Sequence, residues 1–278
     1  MRESSATFVS PRGLNIHTRR WLPDDSPRAG VMLVHGLGEH CGRYDGLVEK
    51  LVGLEFAVFG LDHPGHGQSG GARGHVHRFS DYLDTLRQYQ QSVLAAHPGL
   101  PLFLFGHSMG GLISLHYLSH HGGGFAGGVL SAPPVTVPAH VPRAVVLLGR
   151  LMSVLLPRLP LIGMDPEGMS RDPDVVKAYL EDPLVFSGKF SARLGAELTT
   201  AIDQAPRVAE RVRLPVLILQ GDGDPIVDPE GAEKLEDWLG SKDLTRLNYP
   251  DLYHELHNEP EKEQVLTDVA DWLCRHCP

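Results

Sequence analysis

Cysteine is scarce in this chain, with three among 278 residues. So few, and an odd number, argue against a disulfide framework and for a reducing compartment, which makes the cytoplasm the expected location. Cys274-Arg275-His276-Cys277 resembles half of a zinc site, but no second pair completes it, so no metal is assigned. Long hydrophobic runs are also missing. The most apolar window, Ala144 to Leu156, is broken by Gly149 and Arg150 and falls short of the roughly 20 residues that a membrane-spanning helix needs. Met1-Arg2-Glu3-Ser4-Ser5 leads into no apolar core, so a secretory signal is not expected. There is no concentrated Lys/Arg run, and the formal net charge is −9 with histidine neutral. A chain of that charge is poorly suited to nucleic acid phosphates, and small neutral substrates fit better.

What is present is ample for one soluble globular unit with an inserted subdomain: 42% of the residues are hydrophobic and 21% charged. In the first half, strand-like apolar runs at Gly30–His35, Phe56–Leu61 and Leu102–Phe105 are separated by helix-like segments at Leu47–Leu51 and Phe79–Ala95. Gly128–Ala132 adds another strand. This alternation predicts an α/β fold, a mostly parallel central sheet flanked by helices. From Pro133-Pro134 the rhythm breaks into a Pro-punctuated stretch up to about Pro206. It resumes with a strand at Pro215–Gln220, a helix at Gly231–Leu239, a strand at Arg246–Tyr249 and a helix at Pro260–Arg275. The expected organisation is a core of residues 1–134 and 207–278 with a largely helical cap, 135–206, inserted between them.

Gly106-His107-Ser108-Met109-Gly110 follows the apolar run Pro101–Phe105 and precedes the helix-like Leu112–Leu118. A strand–turn–helix of this kind holds a serine hydroxyl out from a strained turn, with small neighbours that let strand and helix approach. A serine hydroxyl needs a base, and the base works best with a carboxylate to orient it. In this architecture the partners follow in the order Ser, Asp, His, each just beyond a strand. Asp224 stands in Gln220-Gly221-Asp222-Gly223-Asp224-Pro225, and His254 follows the last strand. Asp224 is favoured over Asp222, Asp228 and Asp251, whose ordinary roles are turns and caps. His257 is the rival base, and His107 is read as structural. Backbone N–H groups of Met109 and Leu37, the latter in the loop Val34-His35-Gly36-Leu37-Gly38, are the candidate donors to a developing oxyanion. That Gly-containing loop matches neither phosphate-binding fingerprint.

His35-Gly36-Leu37-Gly38-Glu39-His40-Cys41-Gly42-Arg43-Tyr44, then Asp62-His63-Pro64-Gly65-His66-Gly67-Gln68-Ser69, then the Ser108 pentapeptide with Gly111, closely resemble the monoacylglycerol lipases of the α/β-hydrolase superfamily. The likeness continues through Tyr179-Leu180-Glu181-Asp182-Pro183-Leu184 to Tyr253-His254-Glu255-Leu256-His257-Asn258-Glu259, covering about Ser10 to Trp272. It implies hydrolysis of a monoacylglycerol to glycerol and a fatty acid, with Ser108, Asp224 and His254 as the triad and no cofactor. It also implies that Glu39, Arg43 and His257, and more weakly Tyr179, serve the glycerol end of the pocket. A loop-stabilising salt bridge is the equal alternative for such charged pairs. Cys41 departs from the serine more usual there. A lysophospholipase or broad carboxylesterase on short- to medium-chain esters is the rival, because fold does not fix substrate. The apolar stretch Val141–Leu159, through Leu147, Leu148, Leu151, Val154 and Leu155, is expected to turn one face to an acyl tunnel and another to lipid, giving a peripheral membrane contact. The sequence specifies no oligomeric state.

Overall fold

Five strands of the large sheet contain no exposed residue, and they form the centre of the molecule: β3 (Ala29–Val34), β4 (Phe56–Leu61), β5 (Leu102–His107), β6 (Gly127–Ser131) and β9 (Val216–Gly221). A strand covered on both faces reads as a continuous apolar run, which is why these segments stand out in the sequence. The description comes from a computed structural model covering residues 1–137 and 141–278.

One eight-stranded sheet runs in the order β1-β2-β4-β3-β5-β6-β9-β10. Its edges are β1 (Arg2–Val9) with β2 (Asn15–Leu22), and β10 (Leu244–Tyr249). From β4 to β10 every pairing is parallel, whereas β1–β2 and β2–β4 are antiparallel. The sequence pattern does not foretell the β1–β2 hairpin: Arg2–Val9 is mostly exposed, so it has no apolar stripe to display.

Successive side chains of β3 point to opposite faces. Met32 and Val34 join the layer containing α2 (Ser80–Ala96), α3 (Met109–His121), α6 (Ala192–Ala209) and α7 (Glu230–Trp238). Val31 and Leu33 join that of α1 (Asp45–Gly53) and α8 (Lys262–His276), where Trp272 is fully buried. The chain leaves β3 for β4 on one side and reaches β5 on the other. That reversal opens a crevice beyond the carboxyl ends of the strands, the usual ligand position in such sheets.

The stretch expected to form an insertion holds α4 (Arg143–Leu155), the short antiparallel pair β7 (Pro160–Ile162) and β8 (Phe190–Ser191), α5 (Pro173–Glu181) and most of α6. Residues 138–140 of the expected 135–206 span lie outside the described residues. The far boundary, 206, falls inside α6, which packs against both α3 of the core and α4 of the insertion.

Candidate active site

Ser108 sits between β5 and α3 with φ 53° and ψ −124°, a conformation that costs a non-glycine residue about 1–3 kcal/mol. Its surroundings hold it there: Ser108 N–H donates to Ser131 O at 2.9 Å, and Ser108 O accepts from Leu112 N–H at 3.1 Å. The glycines two places away are dictated by contact. A Cβ at 106 would lie 2.3 Å from Ser114 Oγ, and one at 110 would lie 2.0 Å from Val34 O.

Two residues from distant loops meet the hydroxyl. His254 Nε2 lies 2.8 Å from Ser108 Oγ, and His254 Nδ1 lies 2.8 Å from Asp224 Oδ2. Asp224 is itself fixed. Its Oδ1 accepts from the N–H groups of Ile226 and Val227 at 2.8 and 3.0 Å, and Oδ2 accepts from Gln220 Nε2 at 3.3 Å. Burial pushes the Asp224 pKa up, but His254 and the backbone donors outweigh it and hold the carboxyl below its ordinary range. Burial likewise pushes His254 down, yet the Asp224 charge and hydrogen bond, with Glu255 and Glu39 behind them, leave it raised.

The rival carboxylates have other partners. Asp222 Oδ1 accepts Asp251 N–H at 2.5 Å, tying the loops after β9 and β10 together, and Asp228 Oδ1 accepts Glu230 N–H at 3.1 Å at the start of α7. His257 does not reach Ser108 by a hydrogen bond. It is buried, stacks on Tyr44 at 4.5 Å, and both ring nitrogens are without a partner among the described residues. Burial lowers its pKa to about 4, so it is neutral.

Glu39 and Arg43 come together in a buried ion network. Arg43 Nη1 donates to Glu39 Oε2 at 3.0 Å, and the guanidinium forks onto Glu255 at 2.5 and 2.9 Å. Glu39 Oε1 also accepts from Tyr44 Oη and Gly36 N–H, each at 2.6 Å. Burial raises the Glu39 pKa, with Glu255 adding to it, whereas the bidentate hold of Arg43 keeps Glu255 low. The Arg43 guanidinium also lies 4.7 Å from the centre of the Tyr179 ring, whose hydroxyl is buried without a partner among the described residues. In this conformation both Arg43 donors that contact carboxylates are thus spent on the protein, the salt-bridge reading of the Glu39–Arg43 pair. Sequence reasoning did not single out Glu255. Its one signal is adjacency to His254, since its partner Arg43 is 212 residues away.

Leu37 lines the small cleft at Ser108. Met109 is the first residue of α3, where an N–H has no acceptor within the helix. Met164, Met169 and Tyr179 close over the same cleft and leave only about 10 Å³. A separate apolar cavity of about 610 Å³ lies within the insertion, walled by Val145, Val146, Met152, Leu161 and Ile202. Of the five α4 residues expected to serve a tunnel or lipid, only Leu148 borders that cavity; Leu147, Leu151, Val154 and Leu155 are 53–69% exposed. Among the described residues, no helix is long and apolar enough to cross a membrane, and no cluster of three His, Cys, Asp or Glu side chains could hold a metal.

A hydroxyl hydrogen-bonded to a carboxylate-backed imidazole, beside backbone donors, is suited to acyl transfer. Comparison with known proteins points the same way. Residues 25–261 match a family model described as serine aminopeptidase, S33. A monoacylglycerol lipase of Mycolicibacterium smegmatis is 36% identical over 273 residues, 98% of each chain. A mouse monoglyceride lipase is 37% identical over 96% of this chain and 89% of its own. In structure, a monoacylglycerol lipase of Paleococcus ferrophilus superposes with a TM-score of 0.84 at 35% identity, over 99% of this chain and 100% of the other.

Proposed function

The chain belongs to the monoacylglycerol lipase family of the α/β-hydrolases, and we propose on that footing that it is a serine ester hydrolase releasing glycerol and a fatty acid from monoacylglycerol. The observation that carries this reading is the unbroken hydrogen-bond chain Ser108–His254–Asp224, 2.8 Å at each step.

In the first half-reaction His254 Nε2 takes the Ser108 proton as Oγ attacks the ester carbonyl carbon. The carbonyl π electrons move to oxygen, and the oxyanion is met by the N–H groups of Leu37 and Met109. Collapse breaks the bond to the glycerol oxygen, which leaves with the proton now on His254. Water then repeats the sequence on the acyl-enzyme, freeing the fatty acid and restoring Ser108. No cofactor or metal takes part. Asp224 holds Nδ1–H inward, so that Nε2 presents its lone pair, and it stabilises the imidazolium.

The cap, residues 135–206, is the part of this proposal that meets lipid. Its support is the α4 surface of Leu147, Leu151, Val154 and Leu155, apolar and exposed, which suits a helix lying in a membrane or micelle interface. The setting is cytoplasmic and membrane-peripheral, in keeping with three unpaired cysteines. Glu39, Arg43, Tyr179 and His257 form the polar wall at the glycerol end. The unpaired Tyr179 hydroxyl and His257 nitrogens supply hydrogen-bonding capacity, while Glu39 and Arg43 hold the wall in shape.

A hydrolysis panel tests the substrate: long-chain monoacylglycerols should turn over faster than lysophospholipids and short p-nitrophenyl esters. If short esters are preferred by a wide margin, the carboxylesterase reading replaces this one.

A further inference from the structure

A second cleft, unconnected with Ser108, lies where the segment after α4 meets the core. Two adjoining cavities of about 750 and 260 Å³ share Arg12, His75, His77 and Arg158 in their walls, and neither includes a residue of the Ser108 cleft. Four arginines line it, from four parts of the chain. Arg12 comes from the β1–β2 connection, Arg78 from the loop before α2, Arg158 from the segment after α4, and Arg193 from the first turn of α6.

Two carboxylates stand against them, and neither neutralises the groove. Asp81 is 3.7 Å from Arg12 Nε and accepts Arg78 N–H at 3.3 Å. Glu197 is 3.6 Å from Arg193 Nη1 and accepts Phe79 N–H at 2.9 Å. Among the described residues, Arg78 and Arg158 form no ion pair. A local excess of positive charge in a chain of net charge −9 is not a consequence of composition. The buried His75, which meets Ser191 Oγ at 2.9 Å through Nδ1, senses that excess. Burial, then the charges of His77, Arg158 and Arg193, push its pKa down.

We propose that this groove binds a phosphoryl-class anion, with Arg78 and Arg158 as its direct ligands and Arg12 and Arg193 reinforcing the field. Guanidinium forks match phosphate oxygens two at a time, and a cleft with an excess of positive charge focuses its potential on such an ion. Two guanidiniums in excess fit a dianion. A fatty-acid carboxylate, a monoanion, would leave one of them unmatched. The anion has two sources, a soluble phosphorylated molecule or a lipid headgroup. Arg158 stands two residues beyond the exposed Val154, Leu155 and Leu156, which would bring the groove close to any lipid surface that α4 touches.

The test uses the full chain. Isothermal titration with inorganic phosphate should show saturable one-to-one binding that weakens as salt rises. Affinity should fall at least tenfold in Arg78→Gln/Arg158→Gln and remain unchanged in Lys242→Gln. Hydrolysis of a water-soluble ester by the double variant shows that it has folded. Flotation on phosphatidic acid versus phosphatidylcholine vesicles separates the sources, because phosphatidic acid presents a phosphomonoester dianion. Retention by phosphatidic acid that needs both arginines and is displaced by phosphate identifies a headgroup. Arginine-dependent phosphate binding without that retention identifies a soluble anion, and either result supports the site. Absence of saturable phosphate binding in the wild type, or undiminished binding in the double variant, overturns it whatever the ester substrate proves to be.

Discussion

The Arg43 guanidinium grips the Glu255 carboxylate with two hydrogen bonds, 2.5 and 2.9 Å long, joining the loop after β3 to the residue next to the catalytic histidine candidate. Both side chains are nearly free of solvent, at 9% and 2% exposure. Burial makes the pair sensitive to loss of one partner, since an uncompensated buried charge costs far more than a surface ion pair is worth.

Arg43→Ala therefore strands Glu255 and leaves Glu39 without its cation. The expected loss is about 3–5 kcal/mol of unfolding free energy, measured by urea denaturation, with a fall in activity because Glu255 adjoins His254. A change under about 1 kcal/mol would show the network to be dispensable.

Acid should silence the enzyme. In the proposed mechanism activity requires neutral His254, whose pKa is raised above the ordinary value of about 6.5, so kcat/KM should climb with pH through a midpoint above that value. In stability the His254 contribution follows the opposite course and the Asp224 contribution the same one. The raised His254 contributes fully below the unfolded histidine value, and its contribution is lost as pH rises through its folded value. The lowered Asp224 contributes above the unfolded carboxylate value, and its contribution is lost as pH falls through its folded value. Asp224→Asn should shift the His254 midpoint down and cut kcat by a factor of about 10⁴. A single-turnover profile that stays flat from about pH 5 to 8 contradicts this assignment.

Strain at Ser108 gives a stability prediction. Ser108→Gly should abolish turnover while raising unfolding free energy by about 1 kcal/mol, because glycine accepts positive φ without penalty. Gly110→Ala should be severely destabilising, its Cβ having only 2.0 Å to Val34 O. Thermal melts of the two variants should move in opposite directions.

The cap surface can be probed without touching the chemistry. Leu147→Gln, Leu151→Gln and Val154→Gln together remove apolar contact that contributes about 1.5–3 kcal/mol for each side chain fully buried in lipid. Adsorption to phosphatidylcholine vesicles should drop at least tenfold, while hydrolysis of a soluble short-chain ester stays within about twofold of wild type. Equal adsorption by the triple variant removes α4 as the lipid contact.

Much of this fold could be read from the sequence because its central strands are buried on both faces. Leu102–Phe105 and Val216–Leu219 announce themselves as unbroken apolar runs, and Ser108 and Asp224 stand a few residues beyond them. The β1–β2 hairpin could not be read the same way, since an exposed edge strand carries no apolar period. Glu255 was hidden for a different reason: its meaning depends on an arginine 212 positions earlier, and no local spacing records that contact. The α4 residues were legible as apolar but not in their direction. Leu147 and Leu151 face outward, and the cavity wall uses Val146 and Met152 beside Leu148.

The most direct test of the central claim is fluorophosphonate labelling of the intact protein, read by peptide mass spectrometry alongside glycerol release from a long-chain monoacylglycerol. The account predicts one adduct, on Ser108, formed in step with loss of glycerol release, and neither adduct nor release in Ser108→Ala. Labelling or glycerol release that persists unchanged in Ser108→Ala would contradict it.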